Sequence, residues 1–310
     1  MMNTEIKRAS GLLVIEVVNS NPNGDPDRDS DPRQRPNGLG EISPVSFKRK
    51  LRDIVGEHDG PFFQSLPEKF SGNPEHYCIL EERGRDIHEI KSKELPQFGD
   101  KYKAYDHKAF LDSPFVKKYW DARVFGNTLL EEKGKNENKG FIKTGVVQIG
   151  MGLSISPVNI VRHTNTNKAG VQEGKNQGMA PMAYRVVEHG VYCMPFYVNP
   201  NYAYNSGCSP EDIELLKLAI PYAYDLNRSA IRPDVRLRHA WYIEHKNSLG
   251  SCPDYLLMEA LTPVRTGNPA DPSGNPAVDP SESWKDYQDK NGLPPDLLGR
   301  VESCVDLVNP

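Results

Sequence analysis

One predicted helix carries a dense group of cations: Lys48, Arg49, Lys50 and Arg52. Helical spacing puts Lys48 and Arg52 along one flank of this helix and Lys50 on the other. Arg49 points away from the core and can pair with Asp53, one helical turn further on. Such a group could hold phosphates through charge-assisted hydrogen bonds. A solvent-exposed helix face is the alternative explanation of a basic run.

The segment before this helix (19–40) is rich in Asn, Pro, Gly and Asp and is predicted to be a loop. Its Gly24 and Gly38 would let backbone N–H groups approach a phosphate closely, because glycine has no Cβ. The same loop contains a run of acidic residues: Asp25, Asp27, Asp29 and Asp31. Carboxylates at this density can bind Mg²⁺ or Ca²⁺, but the spacing lacks the glycine and the closing glutamate of an EF-hand. We expect these carboxylates to build the loop, with metal binding as the alternative.

A second cationic group follows the end of another predicted helix. Its members are Arg228, Arg232, Arg236 and Arg238. The group suits phosphate binding, although Asp225 and Asp234 could neutralise part of its charge.

Two further segments could contact a nucleic acid. The segment 119–127 is predicted to be a strand that carries Arg123, which could contact phosphate or pair with a carboxylate such as Asp121. The segment 166–182 is polar and almost without apolar residues until it reaches Met179. A flexible loop that ends in apolar side chains could wedge between bases, and a disordered insert is the alternative.

Composition narrows the class of protein. The chain has 310 residues and a formal net charge of −4, so any nucleic-acid site must be a local cationic patch. Its five cysteines are widely spaced and its eight histidines lack metal-ligand spacing, which argues against a zinc ribbon. No segment approaches the roughly 20 apolar residues that a membrane-spanning helix needs. We therefore expect a cytoplasmic protein without a membrane contact, a metal or another cofactor.

The elements that position these residues follow from periodicity and capping signals. A nearly all-apolar strand at 12–18 suits burial on both faces. Ser43 and Pro44 have the types expected of an N-cap and a first helical residue. Residues 131–140 should form an exposed hairpin tip or a disordered loop. Further predicted elements are strands at 119–125, 141–161, 184–198 and 236–245, a helix from Ser209 to about Pro221, and strand or turn at 251–261. Two helices on one antiparallel sheet predict an α+β fold of the split βαβ type, which RNA-recognition domains use.

Several sequence blocks, taken together, resemble one known family. They are NSNPNGDPD (19–27), GLGEISPVSFKRKLRDIV (38–55), YWDARVFG (119–126), GFIKTGVVQIGMGLSISPVNIVRHTNT (140–166), KNQGMAPMAYRVVEHGVY (175–192), DLNRSAIRP (225–233) and HKNSLG (245–250). The chain resembles the Repeat-Associated Mysterious Protein (RAMP) group of CRISPR–Cas systems, in particular the repeated backbone subunit of type I-B and I-C Cascade complexes.

The resemblance implies a modified ferredoxin-like, RRM-like palm formed by residues 1–57 and 119–262. A thumb hairpin would protrude at about 160–183, and residues 58–118 would form an inserted fingers region. Residues 263–310 have no counterpart in the resemblance and are expected to form an extended C-terminal tail.

The cationic groups and the resemblance together imply a set of RNA-binding residues, with no catalytic and no metal-binding residue. The set comprises Asn21, Asn23, Gly24, Lys48, Arg49, Lys50, Arg52, Arg123, Gln148, Arg162, His163, Lys175, Met179, Arg228 and Arg232.

The implied function is that of a non-catalytic subunit that polymerises head to tail along the CRISPR RNA and presents it for pairing with target DNA. Its implied partners are that RNA, the target DNA paired to the guide, further copies of the chain, and other Cascade subunits (the 5′-handle-binding and large subunits). Two alternatives stay open. One is a metal-dependent target-RNA ribonuclease of the same superfamily that uses Asp25 or a neighbour. The other is a single-copy RNA-binding protein outside any CRISPR complex.

Overall fold

The computed structural model describes residues 5–82, 90, 93–94, 107–129, 141–168, 179–266 and 279–310. Its strands are β1 (Ala9–Ser20), β2 (Leu39–Ile42), β3 (Gly126–Leu129), β4 (Phe141–Thr144), β5 (Val147–Ile149), β6 (Gly152–Pro157), β7 (Ile160–Lys168), β8 (Met179–Val198), β9 (Val235–Glu244), β10 (Val264–Arg265), β11 (Tyr287–Gln288) and β12 (Ser303–Asp306). Its α-helices are α1 (Pro44–Gly56), α2 (Pro61–Gln64), α3 (Glu68–Ser71), α4 (His107–Leu111), α5 (Pro114–Lys118), α6 (Trp120–Phe125), α7 (Ala203–Ser206), α8 (Pro210–Ala219), α9 (Asp254–Leu261) and α10 (Pro295–Leu298). Short 3₁₀ turns occupy Pro26–Arg28, Pro74–His76, Pro200–Tyr202, Ile220–Tyr222, Asp225–Asn227 and Trp284–Asp286. The predicted hairpin tip at 131–140 lies outside the described residues.

Most of the strands form one antiparallel sheet in the order β12-β9-β1-β8-β6-β2. Two further strands, β5 and β7, also pair with β8. β8 is long enough to pair with β7 through residues 179–187 and with β1 through residues 187–198. Helices and an antiparallel sheet therefore share one chain, which confirms the predicted α+β class.

The central strand β1 is covered on both faces, as its apolar sequence predicted. Leu13, Ile15 and Val17 belong to a core that includes residues of α1 and α8. Leu12 and Val14 point to the opposite face, where α9 and the C-terminal residues pack. None of the five is more than 2% exposed.

Helix α1 begins at the predicted capping residues. The Ser43 hydroxyl accepts a hydrogen bond from the Ser46 N–H at 3.2 Å, and Pro44 takes the first helical position, where its missing N–H costs nothing. Phe47 and Leu51, one turn apart, are at most 1% exposed and anchor the helix on the sheet. This anchoring fixes the directions in which the cations of α1 point.

Helix α8 also begins where its sequence predicted. Ser209 and Asp212 cap it reciprocally, each side chain accepting the backbone N–H of the other residue. The α-helix ends at Ala219 and passes into a 3₁₀ turn that contains Pro221.

Three predicted elements are wrong. Residues 120–125 form helix α6 instead of a strand. All six residues are buried, so their sequence shows no hydrophobic periodicity that would distinguish a helix from a strand. Residues 254–261 form helix α9, in which Leu257 and Leu261 are buried at helical spacing. The single strand expected at 141–161 is broken into four pieces (β4 to the start of β7) around Gly145, Gly150 and Pro157.

The described C-terminal residues return to the sheet. β12 pairs with β9 along its whole length. Tyr287, Leu293 and Leu297 join the apolar cluster on the α9 side of β1. Among the residues that the structure describes, every helix is too short or too polar to span a lipid bilayer.

Candidate nucleic-acid interface

Two segments predicted to bind phosphate, α1 and the loop 225–233, meet at one surface pocket. The backbone N–H of Asn21 donates to the Ile231 carbonyl at 2.7 Å, which ties this loop to the end of β1. The Asn227 Nδ2 donates to the Lys50 carbonyl at 3.2 Å, which ties it to α1. Residues far apart in sequence therefore share one cationic surface.

The pocket has a volume of about 490 Å³ and is lined by Ser46, Arg49, Lys50, Asp53, Asn227 and Arg232. Lys50 is only 3% exposed, and its Nζ donates to the Ser46 carbonyl at 3.3 Å and to the Ser46 hydroxyl at 3.2 Å. The same Nζ lies 5.3 Å from the centre of the Tyr224 ring. The Arg232 Nε is buried without a hydrogen-bond partner. An anion in the pocket would give both cations the counter-charge that they lack.

The acidic residues near these two cations are engaged elsewhere. Asp53 pairs with Arg49 at 2.8 Å, as predicted. Asp225 pairs with Arg228 at 2.8 Å, Asp234 with Arg236 at 2.6 Å and Glu16 with Arg238 at 2.7 Å. In the part of the chain that the structure describes, no carboxylate pairs with Lys50 or Arg232. Of the second cationic group, Arg232 alone is left to the pocket.

The protonation of Lys50 reflects this setting. Burial, followed by the positive charge of Arg232, lowers the pKa of Lys50 to about 8, and Asp53 offsets only part of the effect. Lys50 is therefore still largely charged at neutral pH. A phosphate between Lys50 and Arg232 would raise the pKa of Lys50 again, because it would stabilise the charged form.

The two asparagines of the first loop build the backbone around the pocket. The Asn23 Oδ1 accepts the Ser43 N–H at 2.7 Å, just before α1, while its Nδ2 donates to the Gly24 carbonyl at 3.0 Å. The Asn21 Nδ2 donates to the Ser30 carbonyl at 2.9 Å, and its buried Oδ1 has no partner. Asn23 therefore holds the start of α1 and Asn21 holds the loop, and neither is among the residues that line the pocket.

On the opposite flank of α1, Arg52 is neutralised by carboxylates, whereas Lys48 forms no ion pair among the described residues. Lys48 and Arg52 lie together there, as predicted, 5.2 and 5.4 Å from the centre of the Phe125 ring. Arg52 is 4% exposed; it donates to Asp121 at 2.8 Å and pairs with Glu81 at 2.9 Å. Arg52 thus joins α1 to α6 and to the segment before it.

Arg123, predicted to lie on a strand, belongs to helix α6 and is 6% exposed. Its Nε and Nη2 donate to the two carboxylate oxygens of Asp212 at 2.9 and 2.7 Å. Its remaining contacts are to the carbonyls of Val116 at 2.6 Å and His76 at 2.8 Å. Carboxylate pairing, the alternative left open from the sequence, is what the structure contains.

The predicted thumb residues lie on the β7–β8 hairpin. Arg162 stands directly opposite Arg185 in the register, and both contact the Asp31 carboxylate. His163, the next residue of β7, is exposed. Met179 is the first residue of β8, and Lys175 falls outside the described residues. Neither Arg162 nor His163 is among the residues that line the pocket.

Two other predicted residues also lie apart from the pocket lining. Gln148 is exposed on β5 and donates to the Gly145 carbonyl at 3.0 Å. Arg228, with its side chain 64% exposed, lies beside the pocket and is held by Asp225.

Asp25, the first residue of the acidic run, stabilises its own loop. Asp25 caps the turn Pro26–Arg28 by accepting the Asp27 N–H at 3.2 Å, and it lies 3.7 Å from Arg33. Within the described ranges, no group of three or more His, Cys, Asp or Glu side chains could hold a metal ion. The sheet face opposite α1 and α8 is also covered by α9 and residues 279–310, so bases cannot stack on it.

Comparison with known proteins identifies the family. The family model described as CRISPR-associated protein Cas7 matches residues 7–291. The chain belongs to the Cas7 family. The resemblance drawn from the sequence blocks is thus confirmed at the level of the family. The Cas7 match includes both α1 and the loop 225–233, and it ends before β12.

Individual Cas7-family relatives are more distant. The CRISPR-associated protein Cas7 of Haloferax volcanii is 29% identical over 234 residues, which cover 69% of this chain and 63% of that relative. The chain therefore matches less than two thirds of that relative's length. One solved chain of a "CRISPR RNA-guided surveillance complex, pre-nicking" is 15% identical with a TM-score of 0.41, covering 77% of each chain. A chain of the "Type III-B Cmr-beta bound to cognate target RNA" is 11% identical with a TM-score of 0.36, covering 77% of this chain and 61% of the other.

Sequence reasoning on this Cas7-family chain missed three residues near the candidate sites. Ser46 lies four positions before Lys50, a spacing that could have indicated their contact. Asn227 stands inside the block DLNRSAIRP that was already recognised. Arg185 carried no local signal, because its place opposite Arg162 depends on the register of β7 and β8.

Proposed function

We propose that this chain is a non-catalytic CRISPR RNA-binding backbone subunit that holds phosphates of the guide. One observation carries the proposal: Lys50 and Arg232 converge on a pocket of about 490 Å³, and among the described residues neither forms an ion pair, because the Asp53 carboxylate at the pocket is engaged by Arg49. The protein as a whole is acidic, so a cationic pocket of this kind is not a by-product of excess positive charge. Phosphate contacts of this type give affinity without sequence preference, as a subunit that holds any guide requires.

We propose that the chain is divided into a palm, fingers and a thumb. The palm would be ferredoxin-like; the strand order β9-β1-β8-β6, with α1 following β1 and α8 following β8, supports this proposal. The β7–β8 hairpin would be the thumb, and the residues between α1 and α6 the fingers. We assign the described residues 279–310 to the palm instead of to an extended tail, because β12 extends the same sheet and Tyr287, Leu293 and Leu297 join the apolar cluster on it.

We further propose that copies of the chain polymerise head to tail along the CRISPR RNA in a type I Cascade complex. Target DNA paired to the guide and the other Cascade subunits would be its remaining partners. A heterologous interface that does not close into a ring makes a filament, and the length of the RNA would limit its size.

The test is to purify the chain after co-expression with a CRISPR array and to analyse the bound nucleic acid. A backbone subunit should elute as an oligomer that carries RNA of defined length, and partial nuclease digestion should give a regular protection ladder. A monomer without bound RNA would contradict the proposal and support the single-copy alternative.

The ribonuclease alternative has its own assay. Purified protein, guide and complementary RNA are incubated with Mg²⁺, beside an Asp25→Ala variant. We expect both proteins to leave the complementary RNA intact, because the Asp25 carboxylate is engaged in capping its own loop. Regularly spaced cuts by the unmodified protein that the variant abolishes would overturn the non-catalytic assignment.

A further inference from the structure

Two arginines face each other across the base of the β7–β8 hairpin. Arg162 and Arg185 are directly opposed in an antiparallel pair, and the next pairs toward the tip continue the ladder to Lys168 and Met179. Directly opposed like charges destabilise a strand pair unless something neutralises them. The hairpin therefore needs an anion at this position.

The Asp31 carboxylate supplies that anion. Its Oδ2 lies 3.2 Å from the Arg162 Nε, and its Oδ1 lies 3.3 Å from the Arg185 Nε. The side chain of Asp31 is 14% exposed, against 61% for Arg162 and 23% for Arg185. One carboxylate thus bridges two guanidinium groups, of which Arg162 is open to solvent.

The loop that delivers Asp31 is bent to reach this place. Asp29 and Ser30 both adopt left-handed backbone conformations, with φ values of 50° and 65°. Such conformations are uncommon outside glycine, although Asp is among the residues that tolerate them best. Arg185 also donates to the Asp29 carbonyl and lies 3.7 Å from the Asp29 carboxylate. The loop is thus held on the hairpin by its contacts with these arginines.

We propose that Arg162 and Arg185 form a second phosphate site, which Asp31 fills until a backbone phosphate of the RNA displaces it. Arginine binds carboxylate and phosphate through the same planar fork of N–H donors, so the two anions compete for one geometry. The inference rests on the proposed RNA-binding function and adds a site separate from the Lys50–Arg232 pocket. It assigns the acidic loop the role of an internal competitor.

Exchange of one anion for another has a measurable signature. In the unmodified protein a phosphate at this site adds little to the affinity for RNA, because it replaces the existing contact of Asp31 with the two arginines. Asp31→Asn would leave two uncompensated arginines, so RNA should bind more tightly and with a steeper dependence on salt. Asp27→Asn removes the same charge from the same loop; Asp27 is exposed and pairs with no cation among the described residues.

The experiment measures binding of a fluorescent oligouridylate RNA by anisotropy at several salt concentrations. We expect Asp31→Asn to bind about 5-fold more tightly than the unmodified protein at low salt, and Asp27→Asn to differ from it by less than about 2-fold. Adding Arg162→Gln to Asp31→Asn should abolish the gain. Arg162 is exposed, so this second change should not unfold the chain. Urea unfolding of each variant separates binding from stability.

Equal affinities for Asp31→Asn and Asp27→Asn, or a loss of affinity in a folded Asp31→Asn protein, would overturn the inference. If Asp31→Asn does not fold, Arg185→Gln is added to relieve the charge repulsion, and the double variant is compared with Arg185→Gln alone: tighter binding by the double variant supports the site, and equal affinities contradict it. Failure of the proposed function looks different. In that case the unmodified protein itself would not bind the RNA, and both proposals would fall together.

Discussion

The two flanks of α1 carry similar charges and have opposite surroundings. On one flank, Arg52 is buried against Asp121, 2.8 Å away, and closes a contact between α1 and α6. On the other flank, Lys50 is equally buried but forms no ion pair among the described residues, and the charge of Arg232 acts on it more strongly than that of Asp53. Charge sign and burial are alike, yet among the described residues Arg52 has carboxylate partners and Lys50 has none.

The number of cations on a helix does not by itself show where a ligand binds. A count of lysines and arginines places the binding surface equally well on either flank. Partners decide between them, because a paired cation contributes to the fold and an unpaired, buried cation is costly unless a ligand compensates it. Substitutions on each flank therefore separate stability from RNA binding.

The largest expected effect is on the paired flank. Arg52→Met should lower the free energy of unfolding by about 3–5 kcal/mol, because it leaves the buried Asp121 carboxylate without its cation. Arg49→Gln removes an exposed pair on the same helix and should cost no more than about 1 kcal/mol. Urea unfolding compares the two. Folded Arg52→Met protein should keep its RNA affinity within about 2-fold; a stable variant that loses RNA binding would reverse the roles of the flanks.

The unpaired flank should behave in the opposite way. Lys50→Met or Arg232→Gln should weaken RNA binding by about 10- to 100-fold, the range expected when a charged hydrogen bond to phosphate is lost. Stability should stay constant or rise in Lys50→Met, because a buried charge is removed. Arg228→Gln, on the same loop as Arg232 but held by Asp225, is the matched control and should change affinity by less than about 2-fold. Equal losses of RNA affinity in Arg228→Gln and Arg232→Gln would contradict the role of the pocket in RNA binding.

The pKa of Lys50 gives a pH test in which affinity and stability move in opposite directions. In the free protein Lys50 loses its proton as pH rises through about 8. RNA binding must then restore that proton, so affinity should fall by up to about tenfold per pH unit above this value. Lys50→Arg stays charged and should show a flatter profile. A pH-independent affinity in the unmodified protein would argue against Lys50 as a phosphate ligand.

Stability should follow the reverse course. The pKa of Lys50 is lower in the folded chain than its ordinary value of 10.5, so the unfolded chain binds more protons between these two values. The contribution of Lys50 to stability should therefore rise with pH across this window. Comparing urea unfolding of the unmodified protein with that of Lys50→Met at two pH values isolates this contribution.

The smallest expected effect concerns the loop that sets the start of α1. Asn23→Ala removes the acceptor of the Ser43 N–H and should lower the free energy of unfolding by about 1 kcal/mol. The affinity of the protein for RNA should also fall slightly, because α1, which carries Lys50, is held less firmly. Gln64→Ala, an exposed donor to the His58 carbonyl outside the pocket, is a control for the loss of one such bond. A larger loss of RNA affinity than of stability would mean that Asn23 contacts the RNA itself.

Local signals predicted those parts of the fold that depend on neighbouring residues. The caps at Ser43 and Ser209 and the apolar run of β1 were each sufficient to place an element. Helix α6 was not found, because all of its residues are buried and its sequence imitates a buried strand. Helix α9 was missed although Leu257 and Leu261 stand at helical spacing. The sequence blocks shared with Cas7 proteins indicated the family, which hydrophobic periodicity alone could not do.

The candidate site was likewise predicted only in part from the sequence. Lys50 and Arg232 were each predicted as RNA-binding residues, but their meeting depends on the loop 225–233 folding back onto α1. The neutralisation of Arg52 depends on Asp121, which lies 69 positions away in the sequence. No spacing rule reports such a partner, so the sequence assigned both flanks the same role.

The most direct test of the central claim is the salt dependence of RNA binding in the double variant Lys50→Met with Arg232→Gln. For single-stranded RNA, each lost phosphate contact should reduce the slope of log affinity against log salt by about 0.7. We predict that the double variant binds more weakly and that its slope is shallower by about 1.4, two such contacts. An unchanged slope, with the protein folded, would contradict the claim that these two cations hold the phosphates of the guide.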